Sequence, residues 1–141
     1  SIPYLQERAK SLDDMGWRDF PEPVKLVKNQ NSMYGTIEQP EDNRLEISAS
    51  DTVTISGWAI LPNEPAKLVV LSKDNASSFF ATGYVNSPSP ESQYPQAGWS
   101  ISFSVKHFTQ GQHNIQAWVY DSAEKKLIKL QEEIKIDILN S

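Results

Sequence analysis

Apolar residues recur at every second position along most of this chain, a period that belongs to a pleated strand rather than to a helix. The clearest instance is Thr52-Val53-Thr54-Ile55-Ser56-Gly57-Trp58-Ala59-Ile60, which is interrupted once by glycine. Its counterpart runs from Gly98 to Val105, where Trp99, Ile101, Phe103 and Val105 alternate with Ser100, Ser102 and Ser104. Around these two, strands are predicted at Met33–Gln39, Arg44–Ser48, Lys67–Lys73, Ser78–Val85 and Gln112–Tyr120. In the last segment Ile128, Leu130, Ile134, Ile136 and Ile138 share a parity that only Glu132 breaks, which predicts a bulge or a switch between sheets there. Leu68-Val69-Val70-Leu71 is apolar at both parities and therefore expected to be covered on both faces. Turn signals fall at Pro40–Asn43, Pro62–Pro65, Asp74-Asn75 and Gln110-Gly111, and residues 86–97 form a long loop containing three prolines, Pro88, Pro90 and Pro95.

This succession predicts a mainly β fold, an immunoglobulin-like or fibronectin-III-like antiparallel β-sandwich of 7–9 strands. The N-terminal end differs. Tyr4, Leu5, Ala9, Leu12 and Met15 fall near one face of a 3.6-residue repeat, so Ile2–Met15 is expected to be helical, with Gly16 as its stop. The prolines of Trp17–Pro23 impose an extended path, and Val24–Val27 reads as a short edge strand. Lys28–Ser32 is polar and reads as a linker. Charge changes across it: residues 1–32 hold five basic and five acidic residues, residues 33–141 eight and thirteen. The expected organisation is thus a helical, proline-containing connector arm over 1–32 and a sandwich domain over 33–141.

Composition narrows the function classes. The net charge of −5 disfavours non-specific nucleic-acid binding, which needs a basic surface to displace counterions. No cysteine is present, so disulfides and thiolate metal sites are excluded. No apolar run approaches the roughly 18–20 residues needed to span a bilayer as a helix. The chain begins at Ser1 without methionine, which suggests a piece of something longer.

Parity also sorts the aromatics. Trp99 shares its face with Ile101, Phe103 and Val105 and belongs to the core. Ile115, Ala117 and Val119 point inward, which leaves Asn114, Gln116, Trp118 and Tyr120 facing out. Trp58 has the parity of Thr54 and Ser56, although a bulge at Gly57 could return it to the core. Trp58, Asn114, Gln116, Trp118 and Tyr120 are therefore the candidate ligand or docking surface. Either a second layer (the N-terminal helix, or Trp17 and Phe20) covers Trp118 and Tyr120, or they form a flat platform for stacking sugar rings. An apolar arm that needs a dock favours the first.

Catalytic, cofactor and metal sites are not expected. His107 and His113 flank a turn but lack the further ligands a zinc ion requires, and read as solvated hairpin residues. The acidic pairs Asp13-Asp14, Glu41-Asp42 and Glu132-Glu133 are poor candidates for glycoside hydrolysis, since adjacent strand residues point to opposite faces. There is no Gly-x-Ser-x-Gly elbow and no phosphate-cradling glycine cluster. A small hydrolase built in the 86–97 loop would need facing carboxylates or a His–Ser contact there.

The order Gly35-Thr36-Ile37-Glu38, Val53-Thr54-Ile55-Ser56-Gly57-Trp58-Ala59, Ala97-Gly98-Trp99-Ser100-Ile101-Ser102-Phe103 and Gly111-Gln112-His113-Asn114-Ile115 resembles a bacterial β-sandwich module with a Gly-Trp-Ala motif. The resemblance covers about Met33 to Asp121. Such modules serve as accessory units of secreted and membrane-anchored envelope proteins, including membrane-bound lipid-linked-sugar glycosyltransferases, where they follow the last membrane helix. The chain departs from the pattern before the long loop, with Asn86-Ser87-Pro88-Ser89 in place of Arg-Pro-Asp-Val. The resemblance implies a non-catalytic, extracytoplasmic accessory domain at the C-terminal side of a larger protein. Its partners would be the parent's membrane portion, another envelope protein or a glycan. The alternative is a carbohydrate-binding module using outward-facing aromatics.

Overall fold

The structure, a computed structural model, describes residues 24–28 and 33–139. The expected helix at Ile2–Met15 lies outside them. The fold is mainly β, with no helix among the described residues. Among the described residues ten strands follow in order: β1 (Lys25–Lys28), β2 (Gly35–Gln39), β3 (Arg44–Ser48), β4 (Thr52–Leu61), β5 (Glu64–Pro65), β6 (Leu68–Lys73), β7 (Ser78–Tyr84), β8 (Gly98–Ser104), β9 (Gly111–Asp121) and β10 (Lys126–Leu139). They form a six-stranded sheet, in the order β1-β10-β9-β6-β7 with β3 also on β10, and a four-stranded sheet of β2, β4, β5 and β8. The sheet curls toward a half-barrel.

The pairing is mixed rather than purely antiparallel. β1 and β3 both run parallel to β10, β1 along Lys126–Lys129 and β3 along Lys135–Leu139. Between those stretches the register of β10 on β9 slips: Lys129 faces Trp118 but Glu133 faces Gln116. That slip adds two residues to β10, and because a strand repeats every two residues, the inward face is preserved. Leu130, Ile134, Ile136 and Ile138 therefore all reach one core, together with Val69, Leu71, Ala117, Val119 and the inner residues of the other sheet, Ile37, Val53, Ile55, Trp99, Ile101 and Phe103. Glu132, inside the slip, turns across to the other sheet, where its Oε1 accepts a hydrogen bond from the Ile37 amide at 3.1 Å.

The Gly-Trp-Ala element sits where β2 and β4 come closest. A Cβ on Gly57 would lie 2.0 Å from the Thr36 carbonyl oxygen, and one on Gly35 (φ +143°) 2.2 Å from that of Trp58. Ala59 is fully buried, and Trp58 faces outward, half-buried. The register of β4 on β8 continues through Gly57 without a slip; the bulge lies opposite, in β2 between Ile37 and Gln39. Trp58 therefore stays on the outer side. The outer face of that sheet is a carpet of hydroxyls, with Thr54 Oγ1 and Ser102 Oγ at 2.8 Å.

The two poles of the molecule differ. One is sealed by aromatic rings: Phe80 packs edge-on against Phe103 and Phe108, with centroids 4.8 and 5.3 Å away, and Lys73 Nζ lies 4.2 Å above the Phe108 ring. His113 belongs to this plug and is buried rather than solvated, because its ring packs on Phe108 and both nitrogens find acceptors. Nδ1 lies 2.8 Å from Asp74 Oδ2, and Nε2 2.8 Å from the Thr109 carbonyl. The pair fastens the β6–β7 turn, in which Asp74, Asn75 and Ala76 all have positive φ (53, 62 and 64°). Asp and Asn tolerate that conformation, but for Ala76 it costs about 1–2 kcal/mol.

Candidate functional site

Cross-strand register builds the outer face of the six-stranded sheet in rows, since directly opposed residues share a face. The second row from the open pole holds Val70 with Trp118 and Lys129 beyond it. Trp118 is 1 % exposed, packed with Leu68, Val70, Phe79, Leu127 and Val24 in a second apolar cluster outside the main core. Val24 helps to bury Trp118, with Leu26 packed against the cluster, whereas the expected cover, the helix at Ile2–Met15 or Trp17 and Phe20, lies outside the described residues.

Inward of that row the outer face is polar but saturated. Trp118 Nε1 donates to Ser72 Oγ at 2.7 Å, Ser72 Oγ donates to Gln116 Oε1 at 2.9 Å, and Gln116 Nε2 donates to Glu133 Oε1 at 3.2 Å. Glu133 in turn pairs with Lys129 at 3.1 Å. Gln116 Oε1 also accepts from the Ala76 amide at 3.3 Å, which holds the strained turn in place. A cavity of about 280 Å³ lies beside this chain, lined by Lys28, Gln131 and Trp118 among others. Four sequence-derived candidates, Asn114, Gln116, Trp118 and Tyr120, are therefore together on one strand face. Gln116 and Trp118 are consumed by the network and are not an exposed platform. Trp58 belongs to the opposite outer face and joins none of them.

The row at the open pole is different. Tyr84 on β7 pairs with Leu68 on β6, and Tyr120 on β9 pairs with Leu127 on β10. β6 lies between β7 and β9, so the two tyrosines stand two strands apart, about 10 Å, with Leu68 between them. Tyr84 is 63 % exposed, whereas Tyr120 is half-buried against the Trp118 cluster. The β4–β5 turn (Leu61 to Glu64) and the β9–β10 turn (Asp121 to Glu124) rise at the ends of this row and enclose a cleft of about 420 Å³. That volume lies within the range of small-ligand sites, roughly 300–1,000 Å³.

Charge in the cleft comes from Glu64, Asp121 and Glu124 against Lys67. Asp121 is 8 % exposed. Its Oδ1 accepts the Glu124 amide at 3.1 Å and so caps the turn, while Oδ2 has no hydrogen-bond partner among the described residues. Asp121 lines the cleft, and a carboxylate oxygen without a partner there, on a side chain held by its other oxygen, is a preorganised acceptor for a donor that arrives from outside. Sequence parity assigned Tyr120 outward but offered nothing to connect it with Tyr84, 36 positions earlier, or with the two turns.

Other candidates resolve into structure. Ser89 in the long loop donates to the Tyr94 carbonyl at 2.6 Å and accepts from the Ala97 amide at 2.8 Å, so its hydroxyl braces the loop rather than facing a histidine or carboxylate. Among the described residues no group of three His, Cys, Asp or Glu side chains is placed to hold a metal ion. No described helix is long and apolar enough to cross a membrane.

No family model matches the sequence, and no curated protein matches it. Among solved structures the fold is similar to part of the endo-beta-1,4-mannanase from Thermotoga petrophila, at 13 % sequence identity and a TM-score of 0.50. The match covers 77 % of this chain and 20 % of the mannanase, so the chain spans about a fifth of that neighbour's length and the likeness is one of fold.

Proposed function

We propose that this chain is an immunoglobulin-like or fibronectin-III-like sandwich acting as a non-catalytic accessory domain of a larger bacterial envelope protein, on its extracytoplasmic side. The topology supports the sandwich: β2, β4 and β8 form one layer, and β3, β10, β9, β6 and β7 the other. The observation that carries the interaction role is the asymmetry of the poles, one plugged by Phe80, Phe103 and Phe108, the other open and lined by exposed recognition groups. Its acid–base pair, His113 and Asp74, is engaged in fastening a turn, with each ring nitrogen occupied. The likeness to a fifth of a much longer enzyme is consistent with a unit carried alongside other domains. The Gly-Trp-Ala resemblance favours a membrane-bound glycosyltransferase as the parent, with its membrane portion as the partner.

The test is topological. With an epitope tag placed after Ser141 in the native gene product, protease added to intact cells or spheroplasts should remove the tag without lysis. A tag protected until the membrane is breached would overturn the extracytoplasmic assignment. A second reading, carbohydrate binding, is favoured by one observation, the exposed Tyr84 and the Asp121 carboxylate lining one cleft.

A further inference from the structure

We infer that the cleft at the open pole binds a neutral sugar, with one pyranose ring seated over Leu68 between Tyr84 and Tyr120 and a ring hydroxyl donating to Asp121 Oδ2. This rests on the second reading above and keeps Tyr120 from the expected platform while replacing Trp118 with Tyr84. A pyranose has an apolar face of C–H groups and a rim of hydroxyls that both donate and accept. The cleft offers the complement of each: two aromatic side chains flanking a leucine, and a rim that mixes acceptors (Glu64, Asp121), a donor (Lys67) and an amide that does both (Asn63).

Charge decides against anionic ligands. Three carboxylates against one ammonium would repel a phosphate or a uronic acid. An organic cation would be drawn by the carboxylates and the tyrosine faces, but it would offer no acceptor to the Lys67 ammonium or the Asn63 amide. A neutral polyol uses all of them. Asp121 is the anchor because its geometry is set before the ligand arrives: the Glu124 amide fixes Oδ1, so orienting Oδ2 costs little further entropy on binding.

The experiment is a titration of the isotope-labelled chain, followed by its backbone amide resonances, with cellohexaose, mannohexaose and xylohexaose. Oligogalacturonate serves as the anionic probe and choline as the cationic one. At least one neutral oligosaccharide should move the amides of residues 63–64, 84 and 120–124. Tyr84→Ala and Asp121→Asn should each lower its affinity at least tenfold. Asparagine keeps the oxygen that caps the turn, and Tyr84 is exposed, so loss of fold does not account for both; amide dispersion checks this in the same spectra. Shifts confined to Trp58, Thr54 and Ser102 would overturn the cleft assignment while leaving sugar binding intact. A response to oligogalacturonate or choline alone would overturn the ligand class. Silence to every probe would overturn both sugar readings but not the accessory role, which fails instead if a bound oligosaccharide is cleaved.

Discussion

Gly57 shows how one residue type can be fixed by its surroundings. Any side chain there would drive a carbon to within 2.0 Å of a backbone oxygen on β2, an edge strand held by its pairing with β4, by Ile37 in the core and by the Glu132 contact to the Ile37 amide. Gly57→Ala should therefore cost about 3 kcal/mol, at the upper end of overpacking effects, and lower the melting temperature by roughly 10 °C. Calorimetry against the wild type checks this; a loss under about 0.5 kcal/mol would mean that β2 can shift away. Parity could place Gly57, Trp58 and Ala59 on alternating faces, but it could not show that β2 rather than a bulge was the reason for the glycine. Similarly, the burial of His113 was not legible, because its partner Asp74 is 39 positions away. The orphan in the core is Trp99, whose Nε1 is the one buried side-chain polar atom without a hydrogen-bond partner among the described residues.

At the level of elements, most strands were readable because one face of each is buried, and alternation records that directly. β10 is the informative case. Its isoleucines keep one parity across a slip in register, and Glu132 marked the irregularity correctly, yet alternation alone could not distinguish a slip of two residues from none. The distinction is testable. Deleting Gln131 alone should turn Ile134, Ile136 and Ile138 toward solvent; at about 1.5–3 kcal/mol for each buried side chain, that approaches the whole stability of a domain. Deleting Gln131 and Glu132 together restores the parity and should leave a cooperatively folded protein, weakened by loss of the Glu132 contact to Ile37. Far-ultraviolet circular dichroism with urea titration separates the two. Equal damage from both deletions would show that the slip itself, rather than parity, is what the core requires.

The functional reading belongs to the whole molecule. Its cleft is assembled from the ends of β7 and β9 and from two turns, so no continuous motif encodes it. What the sequence could register was an excess of outward-facing aromatics on β9; which of them stayed accessible depended on Val24 and Leu127 covering Trp118 while Tyr84 stayed exposed at the edge strand.

The pairing of β1 has a mechanical consequence. Because β1 runs parallel to the first half of β10, Val24 and Leu139 lie toward opposite poles. Tension between those two residues would drag the strands past one another and load the whole Lys25–Lys28 ladder in shear. Pulling at Val24 and Lys126, neighbours at the same end, would instead open it rung by rung. Single-molecule stretching should therefore find a higher rupture force for the first geometry, and equal forces would show that β1 bears no load. A module anchored through its N-terminal side would resist extension where a peeled strand would give way.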